Sequence, residues 1–370
     1  MKLIIAILIG AGLFFAIRLT YRKFWEEGLS VAIDFPDRMV REGEESRLLE
    51  VITNNKWLPL PILQIKFAIT RTFRFAKDGG SDVTDQYYRN EYFALRSFER
   101  VSRTYPFTCT KRGLFSMRNM DLICKDLFMS EEMYDSVEHS ATLLVLPRRI
   151  REQEIPTACL RLLGEVVSRV KLQEDPFAFS TIREYQPYDG MGAVNWKVSA
   201  RMNELMVNTF RTTLQRDVVI VLDLETHTKQ MQERVQEALI RVAATLGACL
   251  CAEKIPTAFL TNGCDIITKE PAHVLSGAVK LHALTIETAL ARIDLKLPMP
   301  DITGILSDRM RENEHEEIVL ISNNRRDDFT DRIRMIRENH GRLNLITAFL
   351  KQEAAEDTAD FAYPWEIIDE

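Results

Sequence analysis

The stretch that decides the fold is DVVIVLD, from Asp217 to Asp223, an unbroken apolar run between two aspartates. A run without a polar side predicts a strand that is buried on both faces, as in a parallel sheet covered by helices. The segment Met231–Ala252 then carries apolar residues at spacings of three and four, which predicts a helix with one buried face. A buried strand followed by an amphipathic helix is typical of an α/β domain.

Three further strands are predicted downstream of that helix. They are Ile255–Leu260, which the turn signal Thr261-Asn262-Gly263 should end, then Glu316–Ile321 and Leu343–Leu350. A helix around Phe329–Asn339 separates the last two. Strands alternating with helices predict a doubly wound α/β domain over residues 217–352. The acidic tail, residues 353–370, is expected to be exposed.

Upstream, residues 29–147 carry a different pattern. Leu29, Val31 and Ile33 alternate with polar or small residues, which gives the period of two expected for a half-buried strand. Short apolar segments separated by turn signals continue as far as Pro147. This region is predicted to be an immunoglobulin- or fibronectin-like β-sandwich.

The N-terminal residues 1–23 are predicted to be a membrane anchor. Leu3–Ile17 contains no charge, and Met1, Leu19 and Tyr21 can extend it. The charged ends of Lys2 and Arg18 can reach the two interfaces. Basic residues follow the segment at Arg18, Arg22 and Lys23, so the positive-inside rule predicts a single-pass protein of the cell membrane with its soluble domains in the cytoplasm. The alternative is a cleaved signal peptide, but the positive charges lie mainly on the wrong flank for one.

Composition and motifs exclude several functional classes. The net charge of −6 gives no electrostatic basis for nucleic-acid binding. None of the six cysteines forms a CxxC pair, which favours a reduced compartment. The sequence has no phosphate-binding loop, HExxH zinc motif or GxSxG nucleophile elbow. We therefore predict no catalytic residues.

The most specific motif lies in the segment 148–216. It reads REYQPYDGMGAVNWKVSAR, from Arg183 to Arg201. The pattern R-E-Y-x-P-x-D, followed after a short gap by N-W-K-x-S-A-R, resembles the signature of domain of unknown function family 58. Two positions depart from the family pattern, with Tyr188 in place of glycine and Val194 in place of isoleucine.

The resemblance implies an order of domains and a partner. Members of this family carry N-terminal membrane helices, a sandwich and a von Willebrand A-like α/β domain. They are associated with MoxR-type AAA+ ATPases in the maturation of protein complexes. The family usually has two N-terminal membrane helices, whereas only one is predicted here.

The charged and aromatic motif residues allow two interpretations. They are Arg183, Tyr185, Asp189, Asn195, Trp196, Lys197 and Arg201. They could form a recognition surface, because arginine and aromatic residues dominate binding hot spots. They could instead form a buried network with Trp196 in the core and the charges paired. We favour the buried network, since buried charges usually occur in pairs.

A second candidate site follows the strand 217–223. Asp223, Glu225 and His227 alternate, so in an extended segment their side chains share one face. Von Willebrand A-like domains have a D-x-S-x-S cation site at this point, and here glutamate and histidine replace both serines. A divalent cation such as Mn²⁺ or Zn²⁺ is conceivable, but we favour a structural role for Asp223 and expect no cofactor.

These predictions favour an interaction or assembly factor over an enzyme. Its expected partners are a MoxR-type AAA+ ATPase and membrane lipid around the N-terminal helix. Two alternatives stay open: a metal-dependent hydrolase using Asp223, Glu225 and His227, or a structural envelope protein.

Overall fold

The computed structural model describes residues 2–70, 72–75, 86–171, 179–186, 190–210, 217–225, 232–313, 316–350 and 362–367. The chain divides into two compact units, which we call unit 1 (Met1–Arg148) and unit 2 (Arg149–Glu370).

Unit 1 begins with a long apolar helix, α1, Lys2–Phe24. At a rise of 1.5 Å per residue it is about 35 Å long, which is enough to cross the hydrocarbon core of a bilayer. Its most apolar stretch has a mean hydropathy of 2.4, and none of that stretch is buried. The end of the helix is different, because Tyr21 and the following Trp25 are buried in the core of unit 1.

In the described residues of unit 1, nine strands follow α1. They are β1 (Leu29–Asp34), β2 (Met39–Arg41), β3 (Glu45–Asn54), β4 (Leu60–Thr70), β5 (Phe73–Phe75), β6 (Gln86–Leu95), β7 (Arg100–Cys109), β8 (Gly113–Lys125) and β9 (Glu132–Leu146). One sheet has the order β1-β3-β7-β5 and the other β2-β9-β8-β4-β6. All the pairs are antiparallel except β2 with β9.

The two sheets of unit 1 share one hydrophobic core. Buried and less buried residues alternate along β3 and β4, as the pleat of a strand requires. Ile33 and Leu48 from the first sheet belong to the same apolar cluster as Leu63 and Leu143 from the second. Unit 1 is therefore a β-rich domain with two sheets around a common core.

Unit 2 is a mixed α/β domain. Its elements are α2 (Thr157–Lys171), β10 (Phe179–Glu184), α3 (Trp196–Met202), β11 (Met206–Phe210), β12 (Val218–Leu222), α4 (Gln232–Ala252), β13 (Thr257–Cys264), β14 (Pro271–Gly277), α5 (Lys280–Ala291), α6 (Ile302–Glu312), β15 (Glu317–Ser322), α7 (Asp327–His340), β16 (Leu343–Leu350) and β17 (Ala362–Ile367). Among the described parts of unit 2, six strands form a sheet of order β14-β13-β12-β15-β16-β17, in which β14 is antiparallel to its neighbour and the other pairs are parallel.

Helices cover both faces of this sheet. Val218 and Ile220 of β12 belong to the apolar cluster that contains α2, α4 and α5. Val219 and Val221 belong to the opposite cluster, which contains α6 and α7. Every residue of β12 is buried, so the apolar run 217–223 is the central strand of the sheet, as its composition predicts. The helix α4 is apolar enough to resemble a membrane span, but most of it is buried in this core.

The predicted end of the second strand is wrong. The Asn262-Gly263 pair is a common turn signal, yet both residues lie inside β13, which continues to Cys264. A Cβ atom on Gly263 would lie 2.6 Å from Leu224 Cδ1 and 2.7 Å from Ile293 Cγ2. Glycine is therefore needed at this position for close packing rather than for a turn.

The expectation that the acidic tail is exposed is also wrong for its last described part. Residues 362–367 form β17, which pairs in parallel with β16 and ends the sheet. Trp365 is buried there and belongs to the same core cluster as α2. The aromatic and apolar residues of this strand outweigh the charge of the surrounding sequence.

Candidate functional site

A buried polar network lies at the carboxyl ends of the central strands of unit 2. Asp223 directly follows β12, while Asn262 and Ser322 lie near the ends of the neighbouring β13 and β15. The carboxylate accepts hydrogen bonds from Asn262 Nδ2 at 2.8 Å, from the Glu225 amide at 3.0 Å and from Ser322 Oγ at 2.7 Å. Parallel pairing brings Asn262 and Ser322 to Asp223, because it aligns the carboxyl ends of adjacent strands. The Glu225 amide comes from the segment that directly follows β12.

The network extends to the backbone around Asp223. Asn262 Oδ1 accepts from the Leu224 amide, and Gln236 Nε2 of α4 donates to the Leu224 carbonyl. Ser322 Oγ accepts in turn from the Asn324 amide at 2.9 Å. Each side chain therefore satisfies backbone groups that the end of a strand would otherwise leave unpaired.

Asp223 is a fully buried acid. Burial raises the pKa of its carboxyl to about 6, although the hydrogen bonds from Ser322, the Glu225 amide and Asn262 act in the opposite direction. Both carboxylate oxygens accept from protein donors, so Asp223 holds the ends of three strands together.

Of the predicted cation ligands, the structure describes Asp223 and Glu225, and their carboxylates have different partners. The Glu225 side chain pairs with Arg326, with 3.3 Å between Oε1 and Nη1, and about half of each side chain is exposed. His227 lies outside the described residues. Within the described ranges, no group of three or more histidine, cysteine, aspartate or glutamate side chains is arranged to hold a metal ion. The donor set around Asp223, made of an amide, a hydroxyl and a backbone N–H, is that of a structural carboxylate.

The described residues of the motif 183–201 lie in and around a small two-stranded sheet. Strand β10 pairs antiparallel with β11 in a two-stranded sheet, and the short helix α3 lies between them in sequence. Asn195 caps α3, since its Oδ1 accepts from the Val198 amide at 3.1 Å while its Nδ2 donates to Asn208 Oδ1 at 2.8 Å. The cap therefore ties the start of α3 to β11.

Ser199 makes the second tie between α3 and β11. Its buried hydroxyl donates to the Asn195 carbonyl at 2.8 Å and accepts from the Met206 amide at 2.8 Å. The Asn195 amide also donates to the Met206 carbonyl. Two motif residues thus fix the position of the helix through hydrogen bonds to the neighbouring strand.

Other motif residues face solvent, which corrects the prediction that Trp196 lies in the core. Trp196 is 61% exposed, and Lys197 and Arg201 are also exposed. On a helix with 3.6 residues per turn, Lys197 and Arg201 lie one turn apart on the side opposite Ser199. The small Ser199, rather than the aromatic ring, occupies the inner position.

The remaining motif residues have mixed environments. Arg183 and Tyr185 are half-buried; Arg183 donates from Nη1 to the Glu184 carbonyl, and the Tyr185 amide donates to the Leu205 carbonyl. Asp189 lies outside the described residues. Sequence reasoning missed the roles of Asn262 and Gln236. It also missed the role of Ser322, whose hydroxyl donates to Asp223.

Three of the solved structures with a likeness to this chain have low TM-scores. The CARDB domain of the PF1109 protein from Pyrococcus furiosus, as a crystal structure with di-metal ions, is 18% identical over 32% of this chain and 91% of that one, with a TM-score of 0.21. Its solution NMR structure is 17% identical, covers 32% and 94%, and has a TM-score of 0.22. A β-glucosidase from Listeria innocua in complex with glucose is 13% identical and covers 32% and 16%, with a TM-score of 0.16. These scores are too low to support an argument about fold or function.

No curated protein matches the chain. A family model described as "Protein of unknown function DUF58" matches residues 181–353, a range that contains α3, the Asp223 network and the sheet as far as β16. Residues 181–353, just under half of the chain, therefore match the DUF58 family.

Proposed function

We propose that this chain is a membrane-anchored interaction protein that recognises its partner through exposed side chains of the short helix α3. The observation that carries the proposal is that Trp196, Lys197 and Arg201 are exposed on a helix that Asn195 and Ser199 hold in place. We call these three exposed residues the α3 surface.

An exposed tryptophan on a fixed helix is favourable for binding for two reasons. Tryptophan and arginine are among the residues that contribute most to protein interfaces. A helix already held in position loses little conformational freedom when a partner binds, so more of the contact energy contributes to affinity. Exposed apolar side chains at Met191, Met202 and Leu205 extend the contact area around the α3 surface.

The anchoring part of the proposal rests on α1. The helix is long and apolar enough to cross a membrane, and Arg18 at its carboxyl half pairs with Glu131 of unit 1 at 2.7 Å. Buried Tyr21 and Trp25 add to this packing. Such contacts support a retained anchor over a cleaved signal peptide. The basic residues Arg22 and Lys23 favour a cytoplasmic position for the soluble units.

We also propose finer assignments for both units. The two sheets of unit 1 around one core support an immunoglobulin- or fibronectin-like sandwich. In unit 2, the six strands numbered in chain order give 3-2-1-4-5-6, the order of a doubly wound sheet. Together with an aspartate after the first of these strands, this order supports a von Willebrand A-like domain.

The proposed partner is a MoxR-type AAA+ ATPase, and the role is assembly or maturation of protein complexes at the membrane. Resemblance to the family motif is what supports the choice of ATPase. The chemistry of the α3 surface adds that the partner should present acidic and apolar side chains to Lys197, Arg201 and Trp196.

The metal-dependent hydrolase has less support. Its central residue, Asp223, already accepts hydrogen bonds on both carboxylate oxygens, and the neighbouring Glu225 is paired with Arg326. The structural envelope protein remains the main rival, and it differs from the proposal in predicting partners that do not respond to nucleotide.

The test is affinity capture of the tagged full chain from detergent-solubilised membranes, with ATP or a non-hydrolysable analogue. We expect a MoxR-type AAA+ ATPase whose recovery depends on nucleotide and falls at least tenfold with Trp196→Ala. Met335→Ala is the matched control, because Met335 is 64% exposed on a different helix, α7. Absence of an ATPase in either nucleotide state, or its equal loss from both variants, would refute the proposal.

A further inference from the structure

The exposed apolar side chains of unit 1 are unevenly distributed. Outside α1, among the residues whose side chains are described, the large exposed hydrophobics are Met39, Trp57, Tyr92, Phe98, Leu127, Phe128, Met129 and Tyr134. Strand register shows which end of the domain each one occupies. Leu29 pairs with Asn54, so the start of β1, which follows α1, lies beside the end of β3. Ile62 pairs with Lys125, so the start of β4 lies beside the end of β8. The chain after α1, the loop 55–59 and the loop 126–131 therefore lie at one end of the domain, which we call the anchor end.

Most of the exposed apolar residues belong to the anchor end. Trp57 lies in the loop 55–59, Phe98 in the loop 96–99, and Leu127, Phe128 and Met129 in the loop 126–131. Tyr92 pairs with Gln64 of β4, which pairs with Ile123 of β8, which in turn pairs with Tyr134 of β9. This row lies two residues from the pair Lys125 with Glu132, so both tyrosines are close to the anchor end. Of the eight, Met39 alone lies elsewhere.

Contacts with α1 fix the anchor end beside the helix. The Phe14 and Phe128 rings lie 5.1 Å apart between centroids, and Arg18 pairs with Glu131. The Tyr21 hydroxyl donates to the Pro59 carbonyl at 2.9 Å. The loop 126–131 therefore runs along the last turns of the helix rather than away from it.

Hydrogen bonds within the loop 126–131 fix its conformation, in which Leu127, Phe128 and Met129 are exposed. Asp126 is buried, and its carboxylate accepts from the Ser130 amide and hydroxyl, both at 2.6 Å, and from the Glu131 amide at 3.2 Å. Met129 has a positive φ of 54°, which closes the turn. Leu127, Phe128 and Met129 are thus presented by a fixed base, and three consecutive exposed apolar residues are unfavourable unless something covers them.

Helix geometry gives the depth of Phe128. Phe14 lies four residues before Arg18, so it is about 6 Å further along the helix, towards the apolar stretch. A side chain in contact with Phe14 lies at that same level. Apolar groups of interfacial proteins are buried about 5–10 Å into the boundary between headgroups and acyl chains, while tryptophan and tyrosine collect at the headgroup level.

We propose that the anchor end of unit 1 rests on the lipid bilayer, with Leu127, Phe128 and Met129 inserted at the interface beside α1 and with Trp57, Phe98, Tyr92 and Tyr134 around them. The proposal rests on the membrane anchorage proposed above and adds a second, non-helical contact with lipid. The unit would then be held in a fixed orientation on the membrane instead of moving freely about the end of the helix.

The test uses the full chain in vesicles of phosphatidylcholine and phosphatidylglycerol, with a nitroxide label on Phe128→Cys and, in a separate variant, on Leu127→Cys. Collision of the label is measured with oxygen, which concentrates in lipid, and with a water-soluble nickel chelate. The signal of the labelled parent, which has its own cysteines, is subtracted. We expect oxygen accessibility to exceed nickel accessibility severalfold at both positions.

Two further labels separate failure of the inference from failure of anchorage. Glu45→Cys, at the opposite end of β3, should be accessible to nickel, and Leu8→Cys in α1 should report lipid. Lipid contact at residue 8 with nickel access at residues 127 and 128 would overturn the inference alone. Nickel access at residue 8 as well would overturn both proposals. Shielding of residues 127 and 128 from both reagents would mean that protein covers them, which also contradicts lipid insertion.

Discussion

The Asp223 network and the α3 surface lie in the same unit, and both contain residues that the sequence marks as functional, yet they differ in availability. At Asp223 every carboxylate oxygen is buried and accepts a hydrogen bond from protein. At α3 the hydrogen-bonding residues Asn195 and Ser199 lie underneath, while Trp196 is exposed. A polar motif can therefore contain buried residues that support a surface and exposed residues that form it.

The largest effect that would test this contrast is expected for Asp223→Ala. The substitution leaves Asn262 Nδ2, Ser322 Oγ and the Glu225 amide without their acceptor, and we expect unit 2 to lose about 3 kcal/mol of unfolding free energy. Urea denaturation, with hydrogen exchange read on β12, measures the loss. Asp223→Asn is the control, because it keeps one acceptor oxygen and should lose less. Unchanged stability in the alanine variant would show that Asp223 is not structural.

The pH dependence of stability tests the same carboxyl. Its pKa is raised by burial to about 6, from 3.8 in the unfolded chain, so the folded state binds the proton more tightly. The stability contribution is therefore fully present below about pH 4 and is lost as the pH rises through about 6, by on the order of 2 kcal/mol. The difference in unfolding free energy between wild type and Asp223→Asn, followed from pH 4 to 7, should show this slope. A constant difference would contradict the raised pKa.

A smaller effect is expected for Asn195→Ala, which tests whether the α3 surface is supported from beneath. Loss of the helix cap and of the bond to Asn208 should cost about 1 kcal/mol. Amide exchange in α3 should accelerate, while exchange in β12 should not change. Lys197→Ala, on the exposed side of the same helix, is the matched control. Equal acceleration in both variants would show that the cap does not fix the helix.

The smallest change in stability is expected for Trp196→Ala. Because the indole is mostly exposed, the unfolding free energy should change by less than about 0.5 kcal/mol. Thermal denaturation of the purified full chain checks this. A large destabilisation would show that Trp196 is buried in the core, which would contradict the proposed α3 surface.

The sequence predicts the buried strands better than the edge strands. Strand β16 has the predicted limits, Leu343–Leu350, because a strand covered on both faces has a composition that no loop shares. Strands β14 and β17 were not predicted. They pair on one side only, and the exposed positions of β14 dilute its apolar pattern. Their partners, which lie elsewhere in the chain, determine that they are strands.

The functional residues show where sequence reasoning stops. Asn262 looked like part of a turn, since Asn-Gly is a common turn pair, and only strand pairing brings it to Asp223. The buried-network interpretation places Trp196 in the core, whereas the structure packs Ser199 against β11 and leaves Trp196 exposed. Neither result follows from spacing along the chain, because each depends on residues brought together by the fold.

The position of β17 has a consequence for biogenesis. Synthesis proceeds from the N-terminus, so α1 is available to the membrane long before residues 362–367 leave the ribosome. Until then β16 lacks its outer neighbour, and an unpaired strand edge can recruit a strand from another chain. Nascent or truncated chains that stop before Ala362 should therefore be the aggregation-prone species, and they would already be tethered side by side on one membrane.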